Sequence, residues 1–357
     1  MKPVSVEKSP RKRLLSGTGF TPFIIRRFLT SILLVFGVTF ISFSITQLVP
    51  GDPVAANLGQ SAYSDPTIVA AFEKEFGLDQ PVPIQYVKYV QKLLQGNLGV
   101  SLSSKRPVVE DLKEYFPATI EIALVAIFLA LIVGLLLGII SAVTRDRLAD
   151  QIIRVFSLTG VSMPAFWTAL TAFYLFFFVL GWAPGTGRLE PGADAPNTIT
   201  GLYTIDSLLA GDFATFRQAF SYLLLPSIVL AIYAVGVLTR FTRASMLEIL
   251  GNDYVRAARA KGLPEFTVIR RHVLRPALLS IITVAGVTFA SLLAGSVLVE
   301  NVFSWPGLGQ YAYRAAVGLD LPGIMGVSMV VATVYITMNL IVDILYRIID
   351  PEMREND

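Results

Sequence analysis

The sequence predicts an all-α membrane protein with about six transmembrane helices. Of its 357 residues, 54% are hydrophobic and only 15% are charged, whereas an ordinary soluble domain has about 25% charged residues. Six stretches are mainly apolar over roughly 20 residues, the length needed to cross about 30 Å of hydrocarbon. The basic residues are concentrated in alternate segments between these stretches, as expected for a chain that crosses a membrane repeatedly.

The first predicted span follows a basic N-terminus that resembles a secretion signal. Its apolar run of about 22 residues is longer than a typical signal-peptide core, and no small-residue cleavage site closes it before Pro50. We therefore expect this span to be retained. The six spans cover residues 28–49, 118–144, 155–182, 222–239, 277–299 and 324–346.

The distribution of charge predicts the topology. The seven segments outside the spans contain 7, 6, 3, 2, 8, 1 and 2 Lys or Arg residues, and the odd-numbered segments hold 20 of the 29. Six of the other nine lie in the 68-residue segment 50–117, which is long enough to be translocated whatever its charge. Both termini are therefore predicted to be cytoplasmic. The chain divides into a basic N-terminus (1–27), the first span (28–49), an extracytoplasmic segment (50–117), a core of five spans (118–346) that includes the loop 240–276, and a cytoplasmic tail (347–357).

The first outer segment is predicted to contain two short helices. Asp65 caps the first, which Pro66 starts and Gly77 ends, and the second starts at Pro83 and stops before Gly96. The second has one apolar face, which we expect on the membrane surface, against the spans or against a partner. The outer segment 183–221 is predicted to consist of turns.

Small residues one turn apart mark two helix faces, Gly134 with Gly138 and Ser291 with Gly295. We expect close helix packing there, with a dimer contact as the alternative. Pro164 should bend the third span, either as a fixed kink or as a hinge.

Two spans contain carboxylates, Glu121 near the start of the second and Asp343 near the end of the sixth. They are interpreted as interfacial or helix-packing groups, with a role in the transport path as the alternative.

Several kinds of chemistry are excluded. The chain has no cysteine and a single His272, which leaves no thiolate site and little metal or acid–base chemistry. Ser162 in the third span has no histidine partner on its side of the membrane, so serine proteolysis is not expected. The sequence has no G-x-x-x-x-G-K-[ST] phosphate loop, so no cofactor and no ATP hydrolysis are expected in this chain.

The fourth basic segment, residues 240–276, contains eight Lys or Arg and is predicted to form short helices. Its run YVRAARAKGL (254–263) has alanines at 257, 258 and 260, a glycine at 262 to end a helix, and Pro264 to start the next element. Such a helix presents a shallow surface ringed by basic side chains. The residues alone leave three interpretations open: a generic cytoplasmic loop, an anionic lipid surface, or a docking helix for another protein.

This segment and other landmarks resemble the membrane-spanning permease subunits of ATP-binding-cassette importers, in the dipeptide, oligopeptide and nickel branch. The superfamily pattern is E-A-A-x3-G-x9-I-x-L-P, and Ala257, Ala258 and Gly262 match its alanines and glycine. Arg256, His272 and the proline of Leu274-Arg275-Pro276 depart from it, but they fit the peptide-branch form Y-V-R-x-A-R-A-K-G-L followed by R-H-x-L-R. The same branch is indicated by PGDP (50–53), FGLDQPVPIQY (76–86), GNLGVSL (96–102), ENVFSWPGLGQ (300–310), DILY (343–346) and Asp350-Pro351.

The resemblance implies a type I importer permease fold in the cytoplasmic (inner) membrane of a bacterium or archaeon. It implies four kinds of partner: a second, non-identical permease, two cytoplasmic ATPase subunits that carry ATP and Mg, an extracytoplasmic solute-binding protein, and membrane lipid. No nucleic acid is expected. The implied ATPase-coupling helix comprises Tyr254, Arg256, Ala257, Ala258, Arg259, Lys261 and Gly262.

On the outer side, the resemblance implies a gate or a contact with the binding protein at Glu300, Trp305, Pro306, Gly307 and Gly309. The alternative is an interfacial tryptophan anchor with a tight turn. Peptides are the expected solute, with nickel chelates, glutathione and oligosaccharides as alternatives. A stand-alone secondary transporter is disfavoured, because mid-span coupling carboxylates and an internal repeat are not evident. A lipid-binding membrane scaffold is a further rival.

Overall fold

The computed structural model describes residues 20–48, 65–76 and 79–349. Within these ranges the chain is almost entirely helical, and the only strand-like pairing is one isolated bridge between Val100 and Pro107. Five helices are long and apolar enough to cross a membrane, and a bent pair of helices makes a sixth when it is counted as one span. The predicted fold class and number of spans are confirmed.

In chain order the helices are α1 (Phe20–Leu48), α2 (Pro66–Phe76), α3 (Val82–Leu94), α4 (Val108–Val143), α5 (Leu148–Ser162), α6 (Ala165–Phe173), α7 (Tyr203–Leu209), α8 (Phe213–Leu250), α9 (Asp253–Ala260), α10 (Glu265–Thr267), α11 (Arg275–Gly295), α12 (Val297–Val302), α13 (Leu308–Val317) and α14 (Leu321–Ile349). A π-helical stretch continues α6, and a second one joins α10 to α11; they cover Tyr174–Val179 and Val268–Leu274.

The two longest spanning helices extend well beyond their predicted spans. Helix α4 has 36 residues and α8 has 38, whereas the predicted spans covered 118–144 and 222–239. Hydropathy marks only the part of a helix that lies in hydrocarbon, and both helices continue beyond it. Because α8 extends to Leu250, the first part of the predicted loop 240–276 is helical.

Pro164 breaks the third span completely. Helices α5 and α6 meet at an angle of 100°, and Met163 between them has an extended backbone (φ −76°, ψ 128°). A proline lacks an amide hydrogen and forces the residue before it out of the helical conformation. The predicted bend is therefore a break between two helices.

Helices α4 and α8 form the centre of the fold, and glycines set their separation. A Cβ atom at Gly134 would lie 2.8 Å from the Cβ of Leu238, and one at Gly138 would lie 2.5 Å from the Cβ of Thr242. Such distances are closer than side-chain contacts allow, so only glycine fits. The predicted close packing at these two glycines is confirmed.

The second predicted small-residue pair does not pack within the chain. Ser291 and Gly295 are exposed on α11, and a Cβ atom at Gly295 would meet nothing within 4 Å. The prediction of close packing is wrong for this pair among the described residues, because its helix face has no neighbour there.

The short outer helices form as predicted. Asp65 caps α2 by accepting a hydrogen bond from the Thr67 amide at 2.9 Å. Helix α3 packs its tyrosines on α1, with the ring of Tyr86 5.3 Å from that of Phe43. The apolar side chains Ile84 and Val87 remain exposed.

Both carboxylates within the spans are paired with arginines. The Asp343 carboxylate lies 2.8 Å from Arg27 and joins α14 to α1, and Glu121 lies 2.5 Å from Arg188. These contacts support the helix-packing interpretation. Some features named in the sequence lie outside the described residues: the basic residues before Phe20, Gly77, the motifs PGDP (50–53) and Asp350-Pro351, and the tail from 350.

Candidate functional site

Helix α9 forms a short projection where the predicted coupling helix lies. It has eight residues, Asp253–Ala260, and it ends at Gly262 with φ at +77°. This left-handed conformation is accessible to glycine at little cost and is a common way to end a helix. The next element then begins at Pro264, as predicted.

One face of α9 is anchored in the protein. Val255 and Ala258 are buried and belong to an apolar cluster that joins four elements. Its other buried members are Ala142 of α4, Met246 of α8, Val268 and Val273 of the π-helical stretch, and Ala277 and Ile281 of α11. Helix α9 thus packs on the π-helical stretch that leads into α11, and the cluster connects it through that stretch to the long helices.

The opposite face of α9 is open. Tyr254, Arg256, Ala257 and Lys261 are exposed. The sequence placed both alanines on the contact surface, but Ala258 faces inward, because consecutive residues of a helix point about 100° apart. Ala257 alone of the two lies on the outer surface.

The basic residues of this region differ in their partners. The Arg259 guanidinium group donates to both carboxylate oxygens of Glu265, from Nε at 3.1 Å and from Nη2 at 2.7 Å. This ion pair lowers the pKa of the Glu265 carboxyl group. Arg256 pairs with Asp253 one turn earlier, and both pairs fix side chains at the ends of α9.

Farther along, Arg270, Arg271 and Arg275 line a surface cavity of about 340 Å³ together with Phe266 and Thr267. Among the described residues these three arginines have no carboxylate partner. The cavity and the open face of α9 together make a basic surface beneath the spanning helices.

A buried carboxylate fixes the helix that leads into α9. Asp150 accepts two hydrogen bonds from Arg243 of α8, both at 2.8 Å, and one from Ser141 of α4 at 2.5 Å. In the sequence, Arg243 was interpreted only as one of the basic residues that make segment 240–276 cytoplasmic. A charge pattern does not show that a carboxylate 93 positions away pairs with Arg243.

On the other side of the fold, the Glu300 carboxylate joins three elements. It accepts hydrogen bonds from Thr119 of α4 and Ser296 at 2.7 Å each, and from the Gln310 amide at 3.0 Å. Burial raises the pKa of Glu300, and these hydrogen bonds oppose the rise. A Cβ atom at Gly307 would lie 2.5 Å from a Glu300 oxygen, so the turn requires glycine there.

Trp305 completes this cluster. It is 1% exposed, and its indole nitrogen donates to the Ala118 carbonyl oxygen of α4 at 2.9 Å. The Leu308 amide donates to the Thr119 hydroxyl at 2.7 Å. The segment 300–310 is thus held against the outer end of α4.

The structure buries most of the residues that were predicted to form a gate or a contact with the binding protein. Glu300, Trp305, Gly307 and Gly309 are all buried, and Pro306 is partly covered. A tryptophan that is 1% exposed does not support the alternative of an interfacial anchor, and the gate or binding-protein contact stays a prediction. The motif was recognised, but its burial depends on Thr119, 181 positions before Glu300.

Arg188, which the sequence did not single out, adjoins the same region. Its guanidinium group bonds Glu121 at 2.5 Å and lies 3.4 Å above the ring of Tyr203. Glu121 also accepts from the Thr204 amide at 2.8 Å. No group of three or more potential metal ligands occurs among the described residues.

Sequence comparison gives the family. Residues 134–355 match the family described as binding-protein-dependent transport system inner membrane component, and residues 20–123 match the corresponding N-terminal family. The chain belongs to this family. The predictions of a multi-pass inner-membrane protein and of an importer permease subunit are confirmed.

Curated relatives of the permease are similar along most of their length. The probable D,D-dipeptide transport system permease protein of Escherichia coli K12 is 44% identical over 322 residues, covering 90% of this chain and 94% of the relative. The di/tripeptide transport system permease protein of Pseudomonas aeruginosa is 43% identical over 332 residues, covering 93% and 98%. The dipeptide transport system permease protein of E. coli K12 is 39% identical over 334 residues, covering 93% and 98%.

Among solved structures, an inward-facing form of the MetNI methionine ABC transporter is similar, with a TM-score of 0.47 and 17% sequence identity. The similarity covers 65% of this chain and 93% of that chain.

Proposed function

We propose that this permease carries peptides across the inner membrane as one half of a pore, driven by ATP hydrolysis in separate subunits. Its partners are then a second permease, two ATPase subunits that bind ATP and Mg, and an extracytoplasmic solute-binding protein. The peptide class is supported by relatives of 39–44% identity whose names specify dipeptide or di/tripeptide transport.

The observation that supports the coupling role is the two-faced environment of α9. Tyr254, Arg256, Ala257 and Lys261 offer an open surface with a small residue at its centre, against which an ATPase subunit can pack closely. Val255 and Ala258 pack the same helix into the apolar cluster that the π-helical stretch Val268–Leu274 shares with α4, α8 and α11. A force applied to the open face thus reaches the spanning helices through packed side chains, which resist compression.

In this mechanism α9 is positioned by Gly262, Arg259 and Ala258. The exposed residues of its open face contact the ATPase subunit. Gly262 gives the helix a defined end, and Arg259 ties that end to Glu265. At the outer side, Glu300, Trp305, Gly307 and Gly309 hold the segment 300–310 to α4. They keep the outer ends of the helices together while the inner ends move, which is a positioning role in the gate.

The test uses the importer reconstituted in liposomes with its ATPase subunits, its second permease and its binding protein. ATP-driven uptake of a labelled dipeptide is measured together with the amount of ATPase that co-purifies. If solute enters without ATP, or if no dipeptide enters in the complete system, the proposed function is wrong.

The coupling surface is tested by a matched pair of neighbouring alanines. Ala257→Leu adds a bulky side chain to the open face and should release the ATPase or abolish uptake while the permease stays folded. Ala258→Leu puts the same side chain into the packed cluster and should instead destabilise the permease by about 1–3 kcal/mol. Gly262→Asp should resemble Ala257→Leu, and unchanged uptake in Ala257→Leu and Gly262→Asp would contradict the coupling role.

A further inference from the structure

A cavity of about 370 Å³ lies where the third span is broken. Its walls come from three sides: the break between α5 and α6, the middle of α8, and one face of α11. Residues that line it include Gly160, Thr168, Tyr233, Ser291 and Gly295. Its volume falls within the range of roughly 300–1,000 Å³ that is typical of sites for small molecules.

Tyr233 is the informative residue of this cavity. It lies seven residues before Arg240, the nearest charged residue of α8, which is about 10 Å along the helix axis. In the other direction the nearest charge is Arg217, about 24 Å away. Side chains on a helix lean toward its N-terminus, so the Tyr233 side chain leans away from Arg240 and toward the middle of the membrane.

The Tyr233 side chain is 43% exposed, and its hydroxyl group bonds to no described residue. A hydroxyl group that faces hydrocarbon without a partner is costly, because lipid tails cannot replace the hydrogen bonds of water. Its exposure is consistent with a surface that meets water or polar solute. The hydroxyl groups of Thr168 and Ser291 face the same cavity, although each also donates to a carbonyl of its own helix.

The exposed faces of the spanning helices fall into two chemical kinds. Helix α4 exposes a row of bulky apolar side chains at a spacing of four residues, as expected of a surface against lipid: Leu124, Phe128, Ile132, Leu136 and Ile140. Helix α11 exposes Val287 near its middle, whereas its last exposed residues, Ser291, Ala294 and Gly295, are small. Ser291 and Gly295 border the cavity, and this end of the row lacks the bulky apolar side chains that α4 exposes.

Glycines fix the floor of the cavity. A Cβ atom at Gly160 would lie 3.0 Å from the carbonyl oxygen of Ile232, and one at Gly236 would lie 2.6 Å from that of Ser157. Helices α5 and α8 therefore touch backbone to backbone directly beside Tyr233. Because Pro164 ends α5 at this point, the wall is a rigid helix pair on one side and the separate helix α6 on the other.

We propose that this cavity is a water-filled part of the translocation path and that the Tyr233 hydroxyl group bonds to the backbone of the passing peptide. The assignment of the peptide rests on the proposed function. A tyrosine hydroxyl group both donates and accepts, so it can pair with either the N–H or the C=O group of a peptide bond. The remaining lining is apolar or small, which tolerates varied peptide side chains.

The chain has no cysteine, so single-cysteine variants can be labelled without a background in this subunit. The assembled importer in proteoliposomes is treated with a small, charged methanethiosulfonate reagent, and the modified fraction of this subunit is measured by mass spectrometry. Tyr233→Cys and Ser291→Cys probe the cavity. Phe128→Cys is the control, because Phe128 is 61% exposed on the bulky apolar row of α4.

We expect Cys introduced at 233 and 291 to react with the reagent at least tenfold faster than Cys introduced at 128. Adding dipeptide, binding protein and ATP should change the labelling rates at 233 and 291. Equally slow reaction at all three positions would overturn the proposal. So would an oxidant-induced disulfide between Cys introduced at 291 and a Cys introduced into the second permease, together with no labelling at 291, since that face would then be a subunit contact.

The contact with peptide is tested by Tyr233→Phe, which removes only the hydroxyl group. Loss of one hydrogen bond worth about 0.5–1.5 kcal/mol should slow the transport step roughly two- to tenfold, with unchanged peptide affinity of the binding protein. An unchanged rate would overturn the role of the hydroxyl group. Fast labelling at 233 and 291 in a reconstituted importer that imports no peptide would support the water-filled path but contradict the proposed function.

Discussion

Replacing Gly138 with alanine should force α4 and α8 apart. The added Cβ atom would lie 2.5 Å from the Cβ and 2.7 Å from the Cγ2 of Thr242, and 3.0 Å from the carbonyl oxygen of Thr239. The last contact is with backbone, which cannot rotate away. Since ordinary contacts lie at 3.4 Å or more, the helices must separate by about 1 Å.

The cost follows from two opposing effects. Alanine is favoured over glycine in a helix by about 1 kcal/mol, whereas overpacking a well-filled contact costs about 1–3 kcal/mol. Gly37→Ala in α1 is a matched control, because its Cβ atom would meet nothing within 4 Å. This variant gains only the higher helix propensity of alanine. The difference between the two variants isolates the packing cost of about 1–3 kcal/mol.

The assay is thermal unfolding of the purified permease in one detergent. At about 2–4 °C per kcal/mol for a domain of 150–250 residues, Gly138→Ala should unfold roughly 2–12 °C below Gly37→Ala. Uptake should fall as well, because α8 leads into α9 and carries the displacement to the coupling surface. Equal unfolding temperatures in the two variants would refute the close contact as the determinant of this helix pair.

Three further changes test other contacts. Asp150→Asn weakens the charge-assisted hydrogen bonds to Arg243 and should lower stability by about 1.5–3 kcal/mol, and an unchanged unfolding temperature would contradict this. Trp305→Phe keeps most apolar burial but loses the indole bond to Ala118, so it should lower the unfolding temperature, whereas Trp182→Phe on an exposed side chain should not. Burial opposes ionisation of Asp206, but hydrogen bonds from Thr200 and neighbouring amides lower its pKa overall. Its stabilising effect is therefore complete above the unfolded pKa of about 3.9 and is lost as the pH falls further, so the gap in unfolding temperature between the native chain and Asp206→Asn should narrow below pH of about 4.

The spans and the short helix α9 were predictable because their signals are local. Apolar length marks a span, and Ala257, Gly262 and Pro264 mark a short helix with a defined end. The ends of α4 and α8 were not predictable in the same way, because their outer turns are polar. Hydropathy shows where hydrocarbon begins and does not show where a helix stops.

The buried ion pairs show a different limit. Arg188 and Arg243 looked like ordinary charges of exposed segments, yet each is held by a carboxylate, Glu121 and Asp150, that lies far away in sequence. Local patterns carry no information on such partners. The same reason explains why the packing of the segment around Trp305 against α4 was not predicted.

The two small-residue motifs differ for a physical reason that bears on function. A spacing of one turn places the two residues of each motif on one helix face. It does not indicate which residues that face contacts. The first face is filled by Leu238 and Thr242 of the same chain, while the second borders a cavity with the Tyr233 hydroxyl group opposite. A face that a subunit leaves small, partly polar and unfilled is suited to something outside that subunit, and the polar groups around it favour water and peptide over lipid.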